Sequence, residues 1–273
     1  MDELHTNAFV LRARSFAESD RIVVLLTEEL GKISAIAKGA RRSKRRFAGG
    51  ALEPFQEIVA RVSRKPHAQL AFLHECRVVA PNAAIAQRIE AFAWASYLTE
   101  LTELMTPQGD PASDIYDLYR RVVLRLASEA PEPLAHHFVL ALLDHAGWAP
   151  DFGRCGICAE EVNEYTRPIL DHRGSGVVCA KHEAESQGLD SGDPGFRPSR
   201  RVIEPPLMDY VRACATDVAA APDAGTRDLA TRLLDRLVDL HLSKPPRSRA
   251  FLATLSETPP NPEPDPGPEP QPD

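Results

Sequence analysis

The apolar residues of this chain change their spacing at Pro81, and that change sets the fold class. Before Pro81, short segments rich in β-branched and aromatic residues are separated by polar turns, at residues 7–11, 21–27, 32–38, 52–62 and 69–79. Segments of this kind are typical of β-strands. Five of them in so short a stretch predict a small antiparallel barrel, of either the OB or the SH3-like type.

After Pro81 the apolar residues recur at helical spacing. A long helix with a wide apolar face is predicted from Ile85 to Met105, and the prolines at 107 and 111 end it. Further helices are predicted at residues 115–126, 133–146, 205–220 and 226–242. The apolar stripes of these helices are interpreted as core packing, so the chain is predicted to be α+β, with a barrel followed by an all-α domain.

The helical pattern is interrupted at residues 150–200, which contain three of the five cysteines. Cys155 and Cys158 form a C-x2-C pair, and a gap of twenty residues leads to Cys179 and His182 in a C-x2-H pair. Two residues between ligands suit one tetrahedral ion, and three thiolates with one imidazole suit zinc. His172 is an alternative fourth ligand. The other two cysteines, 76 and 214, are interpreted as buried thiols.

The predicted zinc is structural, because the sequence lacks the motifs of the common catalytic zinc sites. No H-x-E motif lies upstream of the cysteines and there is no H-E-x-x-H motif. Three further histidines, His136, His137 and His145, fall on one helix and are interpreted as residues of its polar face. No catalytic residue is predicted, and no small-molecule substrate is expected.

Positive charge is concentrated near the start of the chain, although the formal net charge is −7. Residues 1–80 carry 14 basic and 9 acidic side chains, whereas residues 256–273 carry five acids and no base. Six cations fall within nine residues between the third and fourth predicted strands: Lys38, Arg41, Arg42, Lys44, Arg45 and Arg46. Such a loop on a barrel favours binding to a polyanion, because phosphate contacts release condensed counterions. A merely solvated loop is the alternative.

Three phenylalanines near the basic loop, Phe47, Phe55 and Phe72, are candidates for stacking on nucleic-acid bases. Each is still more typical of a core residue. The remaining segments carry simpler signals. The proline-rich acidic residues 253–273 are expected to be disordered. The polar start of the chain and the lack of a long apolar run predict no secretory signal and no membrane span, so a cytoplasmic protein is expected.

In three passages the chain resembles the RecO family of bacterial DNA repair and recombination mediator proteins. These are residues 27–42, which include Lys38-Gly39-Ala40-Arg41-Arg42, then Leu52-Glu53-Pro54-Phe55, and the cysteine insert between helices. The resemblance covers residues 5 to about 252. It departs from the family pattern at His182, where the zinc-bearing members have a fourth cysteine, and in the proline-rich tail.

The resemblance implies an OB-fold and a binding function. RecO-like proteins bind single- and double-stranded DNA, anneal complementary strands and, with RecR, assist recombinase loading onto DNA coated by single-strand-binding protein. They also contact the acidic tail of that protein through the helical domain. The protein is expected to associate with the bacterial nucleoid. The chain is expected to have five parts: an OB domain at 1–80, helical parts at 81–149 and 201–252, a zinc insert at 150–200, and the tail at 253–273.

Two other functions are compatible with the residues alone. One is a zinc-stabilised adaptor whose basic loop recognises an acidic peptide, and the other is a zinc-dependent enzyme. Reversing the charges of the loop arginines distinguishes the adaptor from a DNA-binding protein. Single-strand binding that is unimpaired in this variant would favour the adaptor. An exchangeable water on the zinc would favour the enzyme.

Overall fold

Five strands close into a barrel at the start of the chain. The computed structural model describes residues 3–257 except 49, 66–67, 81, 112, 164–165, 171–175 and 184–201. The strands are β1 (Glu3–Phe16), β2 (Asp20–Thr27), β3 (Gly31–Ala37), β4 (Glu57–Ser63) and β5 (Ala71–Ala80). Their order around the barrel is β1-β2-β3-β5-β4, with β1 paired to β4. Strands β3 and β5 are parallel and all other pairs are antiparallel. The predicted OB-fold is confirmed.

Two strands differ in extent from the prediction. β1 is 14 residues long because it pairs with β4 along its first half and with β2 along its second half. β4 begins at Glu57 and not at residue 52, because Ala51 and Leu52 turn into the barrel interior and Phe55 has a left-handed backbone, with φ of 69°. The residues between β3 and β4 therefore form a long loop that fills part of the barrel.

The helices follow in the predicted order. They are α1 (Ala83–Gln87), α2 (Ile89–Met105), α3 (Ser113–Arg125), α4 (Pro131–His145), α5 (Pro205–Thr216), α6 (Ala224–His241) and α7 (Ser248–Glu257). α4 ends as its sequence predicts: Gly147 has φ of 73° and donates to the carbonyl of Asp144, while Trp148 donates to that of Leu143. These two bonds form a Schellman cap.

Two features of the helical region differ from the single long helices that the spacing predicts. Arg88 has an extended backbone and separates α1 from α2. Its guanidinium donates to the carbonyls of Leu126, Ala127 and Glu129, just beyond α3, at 3.2–3.3 Å. The second feature is α7. It continues to Glu257, beyond residue 252, where the helical region was expected to end and the disordered tail to begin.

The barrel and the helices share a packed interface. Phe9 projects from the outer face of β1, with its ring centroid 5.0 Å from Tyr119 and 5.5 Å from Tyr116. Gly31, with φ of 62°, lies so close to the α2–α3 loop that a Cβ there would be 1.7 Å from the carbonyl oxygen of Asp110. One apolar cluster therefore runs from the outer face of β1 and β2 through the helices, and a second fills the barrel interior.

Candidate nucleic-acid interface and metal centre

The basic loop, residues 38–46, begins where β3 ends and is anchored to the hairpin between β1 and β2. Gly39, with φ of 66°, turns the chain there. Its N–H donates to Asp20 Oδ1 at 2.8 Å, and the N–H of Arg41 donates to the carbonyl of Ser19 at 3.0 Å. The first half of the loop is therefore held against the hairpin tip.

The other end of the loop is anchored to β5 and to the barrel interior. The carbonyl of Arg46 accepts from the N–H of Cys76 at 2.9 Å. Phe47 is buried, and so are Ala51 and Leu52 after it, in the cluster that fills the barrel. The loop is therefore fixed at both ends, which keeps its cations at the surface between β1–β2 and β5.

The six predicted cations differ in what they contact. Arg41, Lys44 and Arg45 are exposed, and none of their side chains has a hydrogen bond or ion pair within the part of the chain that the structure describes. Arg42 lies 3.5 Å from the carboxylate of Glu18, but both side chains are well exposed. Pairs of that kind contribute little free energy in water. The loop is thus not neutralised by its own carboxylates.

The remaining two cations support the loop itself. Arg46 donates to the carbonyl of Lys38 at 2.8 Å and to Ser43 Oγ at 3.3 Å, which closes the loop across its base. The Lys38 ammonium lies 5.4 Å from the ring centroid of Phe72, within the range of a cation–π contact. The contacts of these two side chains therefore stabilise the conformation of the loop.

The phenylalanines also divide into two groups. Phe47 and Phe55 are buried and belong to the two apolar clusters, and Phe72 is half-buried under Lys38. Sequence reasoning missed Phe16, the last residue of β1, which is 47% exposed. Its exposure could have been predicted from its position directly before the turn residues Ala17-Glu18-Ser19, at the end of the strand.

The four predicted metal ligands come together in one cluster. The first pair lies in a turn: the N–H of Ala159 donates to the carbonyl of Cys155, and that of Gly156 to the carbonyl of Val177, both at 2.9 Å. The second pair follows a two-stranded sheet made of β6 (Ile169–Leu170) and β7 (Val177–Val178). Cys179 ends this sheet, and a short 3-10 helix, Ala180–His182, presents the imidazole.

The distances between the ligand atoms fit one tetrahedral ion. All four atoms lie within 4.8 Å of one another. Cys158 Sγ is 4.0 Å from Cys179 Sγ, and His182 Nδ1 is 3.9 Å from Cys155 Sγ and 3.2 Å from Cys179 Sγ. Two thiolates on one zinc are about 3.8 Å apart, given Zn–S bonds of about 2.3 Å. The residues present therefore fit a zinc ion, whereas His172 lies outside the described residues.

One thiol of the cluster is already biased towards the thiolate form that binds metal. Burial alone raises the pKa of Cys155, but backbone N–H donors of Cys158, Cys179 and Ile157 outweigh it and lower the pKa to about 6. Donors that favour the charged sulfur in this way prepare a ligand for a cation. The two distant cysteines behave differently: Cys76 and Cys214 are buried, and burial raises both pKa values.

The insert is joined to the helices by an arginine. Arg212 on α5 donates to the carbonyls of Phe152 and Val162, both at 2.7 Å from its Nη2. Cys155 and Cys179 belong to the same apolar cluster as the helices. The cluster of ligands therefore lies against the helical domain and not beside the basic loop, and it has no described contact with the six cations.

Comparison with known proteins agrees with this architecture. The family model described as Recombination protein O N terminal matches residues 1–82, and the one described as Recombination protein O C terminal matches residues 86–250. None of the described helices combines the length and apolar character that a membrane span requires.

Curated relatives match over nearly the whole chain. "DNA repair protein RecO" of Anaeromyxobacter sp. (strain K) is 34% identical over 92% of this chain and 96% of its own length. The proteins of the same name from Myxococcus xanthus and Desulfosudis oleivorans are each 32% identical, over 93% and 86% of this chain and 98% and 92% of their own lengths. With both family models matching in order, the chain belongs to the RecO family of DNA repair proteins.

Proposed function

We propose that this protein is a DNA-binding recombination mediator without turnover chemistry. It binds single- and double-stranded DNA through the basic loop, anneals complementary strands, and assists recombinase loading onto DNA coated by single-strand-binding protein. The observation that carries the proposal is a loop fixed at both ends of its span, with three exposed cations whose side chains have no described partner. The phosphate contacts are assigned to Lys38, Arg41, Arg42, Lys44, Arg45 and Arg46.

Electrostatics gives the proposal a magnitude. Like charges held together repel one another, and a phosphate chain relieves that repulsion while releasing its condensed counterions. Four phosphate contacts on a single strand predict a slope of about −3 for log affinity against log salt. Binding should then weaken about fifty-fold between 50 mM and 200 mM salt.

The metal in this proposal is a structural zinc held by Cys155, Cys158, Cys179 and His182. When bound, the ion supplies a tetrahedral cross-link between the two halves of the insert. Four protein ligands complete its shell, whereas a hydrolytic zinc keeps an open position for water. This donor set supports a non-enzymatic role. Clustered free cysteines are also typical of a reducing cytoplasm, where the protein would act.

The helical domain is proposed to hold the protein partners, RecR and the acidic tail of single-strand-binding protein. A cavity of about 700 Å³ lies between α2, α6 and α7. Its lining combines the apolar side chains of Trp94 and Leu252 with three arginines and four acidic side chains, and Arg232 is paired with Asp228 at 2.8 Å. The apolar side chains, with Arg227, for which no ion pair is described, would receive the apolar and acidic groups of such a tail.

Fluorescence anisotropy with a labelled single strand, measured across a salt series, tests the DNA-binding proposal. We expect the variant Arg41→Glu/Arg45→Glu to bind roughly tenfold more weakly or worse, with a shallower salt slope. The matched control is Arg121→Glu/Lys244→Glu, which makes the same charge change at exposed positions of the helical region. Equal loss in both variants, or a wild-type affinity that does not depend on salt, would refute the assignment.

A further inference from the structure

We infer that Phe16 is a stacking platform for an unpaired base and that it gives the protein a preference for single-stranded over double-stranded DNA. The inference rests on the proposed DNA binding by the basic loop. It adds a residue outside that loop, and a chemical basis for strand discrimination. The observations that support it are the place of Phe16 beside the loop, the face of the barrel it shares, and its exposed ring.

Phe16 lies at the hairpin to which the basic loop is anchored. It pairs with Asp20 across a three-residue tip in which Ala17 has φ of 51°. Asp20 accepts from the N–H of Gly39, and Ser19 accepts from that of Arg41. The same hairpin tip therefore holds both the aromatic ring and the backbone from which the cations project.

The ring projects from the outer face of the barrel. Directly paired residues project from one face of a sheet, and the row Arg14–Ile22–Ile36–Phe72 crosses β1, β2, β3 and β5 by direct pairing. The neighbouring row on these strands, Ala13–Val23–Ala35–Ala71, packs into the barrel interior. Phe16 is two residues beyond Arg14, so it shares the outer face.

This outer face has the make-up of a single-strand platform. It carries two aromatic rings, Phe16 on β1 and Phe72 on β5, with strands β2 and β3 between them on this side of the barrel. The side chains of Ile22 and Ile36 lie between them. Two cations belong to the same surface: Arg14 stands in the row on β1, and Lys38 follows directly after β3. The outer surface of strands 2 and 3 and the β1–β2 loop are where OB-folds commonly bind oligonucleotides.

The ring of Phe16 is available, whereas the other rings near the loop are not. Phe47 and Phe55 are 8% exposed, and Phe72 is covered by the Lys38 ammonium. Within the described residues, two further phenylalanines are exposed, Phe92 and Phe251, and they lie on helices and contact each other, with centroids 6.4 Å apart. Phe16 has no ring or cation contact among the described residues, so its face is free to receive a base.

A stacked base must be unpaired and turned out of its own stack, which a duplex does not offer without cost. The phosphate contacts of the basic loop, by contrast, are open to either form of DNA. Phe16 should therefore add affinity for a single strand and none for a duplex. Loss of one stacked base weakens single-strand binding by roughly five- to 100-fold.

The experiment compares three labelled probes of equal length at one salt concentration: a single strand, its duplex, and a strand of abasic sugar-phosphate units. We expect Phe16→Ala to lose roughly five- to 100-fold affinity for the single strand and to bind the other two within about twofold of wild type. Phe16→Trp should retain single-strand binding, because tryptophan also stacks. The matched control is Phe251→Ala, at a phenylalanine with similar exposure on α7, which should bind all probes as wild type does.

The outcomes separate this inference from the proposal beneath it. If Phe16→Ala binds the single strand as wild type does while Arg41→Glu/Arg45→Glu does not, the stacking role is refuted and the basic loop stands. If Phe16→Ala weakens all three probes equally, the residue acts on the loop and not on a base, and the inference also fails. If neither variant affects any probe, the DNA site lies elsewhere and both are wrong. Circular dichroism confirms that each variant is folded.

Discussion

His136 on α4 is 1% exposed and sits in a hydrogen-bonded chain that joins three helices. Its Nδ1 is 2.9 Å from the hydroxyl of Tyr210 on α5, and its Nε2 is 2.9 Å from Oγ1 of Thr231 on α6. The Thr231 hydroxyl donates to the carbonyl of Arg227, so it accepts from Nε2–H. Nδ1 then accepts from Tyr210, whose pKa is raised by burial. The chain is complete with a neutral imidazole.

Protonation of His136 would place a charge among groups that cannot stabilise it. Burial, and then the charge of Arg227, lower its pKa from 6.5 to about 4. Between pH 6.5 and about 4, His136 is therefore protonated in the unfolded chain but remains neutral in the folded protein. The stability that the protein owes to a neutral His136 is fully present above pH 6.5 and is lost as the pH falls to about 4. At about 1.4 kcal/mol for each pKa unit, the loss amounts to roughly 3 kcal/mol.

Urea unfolding followed by circular dichroism, at intervals between pH 7.5 and 4, measures this loss. His136→Gln keeps polar atoms but does not titrate, so its free energy of unfolding should fall by roughly 3 kcal/mol less than that of wild type over this range. The control is His145→Gln on the exposed side of the same helix, which should follow wild type. If wild type and His136→Gln lose stability in parallel, the buried imidazole is not the titrating group and the argument fails.

Two further predictions concern the metal and the last helix. Cys179→Ser should lower the zinc content, measured by mass spectrometry of the purified protein, from about one ion per chain to well below one; a full complement of zinc in this variant would show that the cluster is not the site. Glu100→Ala should release the start of α7, because the Glu100 carboxylate accepts from the N–H groups of Arg247 and Ser248 at 3.0 and 2.8 Å. The loss should be about 1 kcal/mol, detected as faster hydrogen exchange at residues 248–257, and unchanged exchange there would contradict the capping role.

Signals that depend on neighbours in the chain were sufficient for much of the fold. Alternation of apolar residues predicted β3, helical spacing predicted α6, and the two short ligand spacings predicted the cluster that includes Cys158. The order of the strands did not follow from them, because the parallel pairing of β3 with β5 joins Ala35 to Ala71 across a long loop. That strand order, β1-β2-β3-β5-β4, and not the number of strands, is what distinguishes the OB-fold from its alternative.

Contacts between residues that are far apart in the sequence could not be predicted from it. The start of α7 is capped by the carboxylate of Glu100, which lies 148 positions before Ser248. The local sequence therefore could not predict this cap. His136 was predicted on a polar face, which is wrong, because Tyr210 and Thr231 reach it from other helices and satisfy both ring nitrogens. The exposure of Phe16 likewise depends on how far the β1–β2 hairpin extends beyond the barrel.

The position of β1 bears on how the barrel and the region with the cysteine cluster depend on each other. Ala8 and Val10 on β1 pack into the barrel interior, while Phe9 and Leu11 pack into the cluster that also contains Cys155. A strand buried on both faces cannot leave either core without exposing apolar surface, at roughly 25 cal/mol for each Å². The change from strands to helices at Pro81 therefore marks a change of secondary structure and not a joint between independent units. The cluster of cysteines and His182 has no described contact with the basic loop, yet Cys155 and Cys179 belong to the same apolar core as Phe9 and Leu11, on the strand that ends at Phe16.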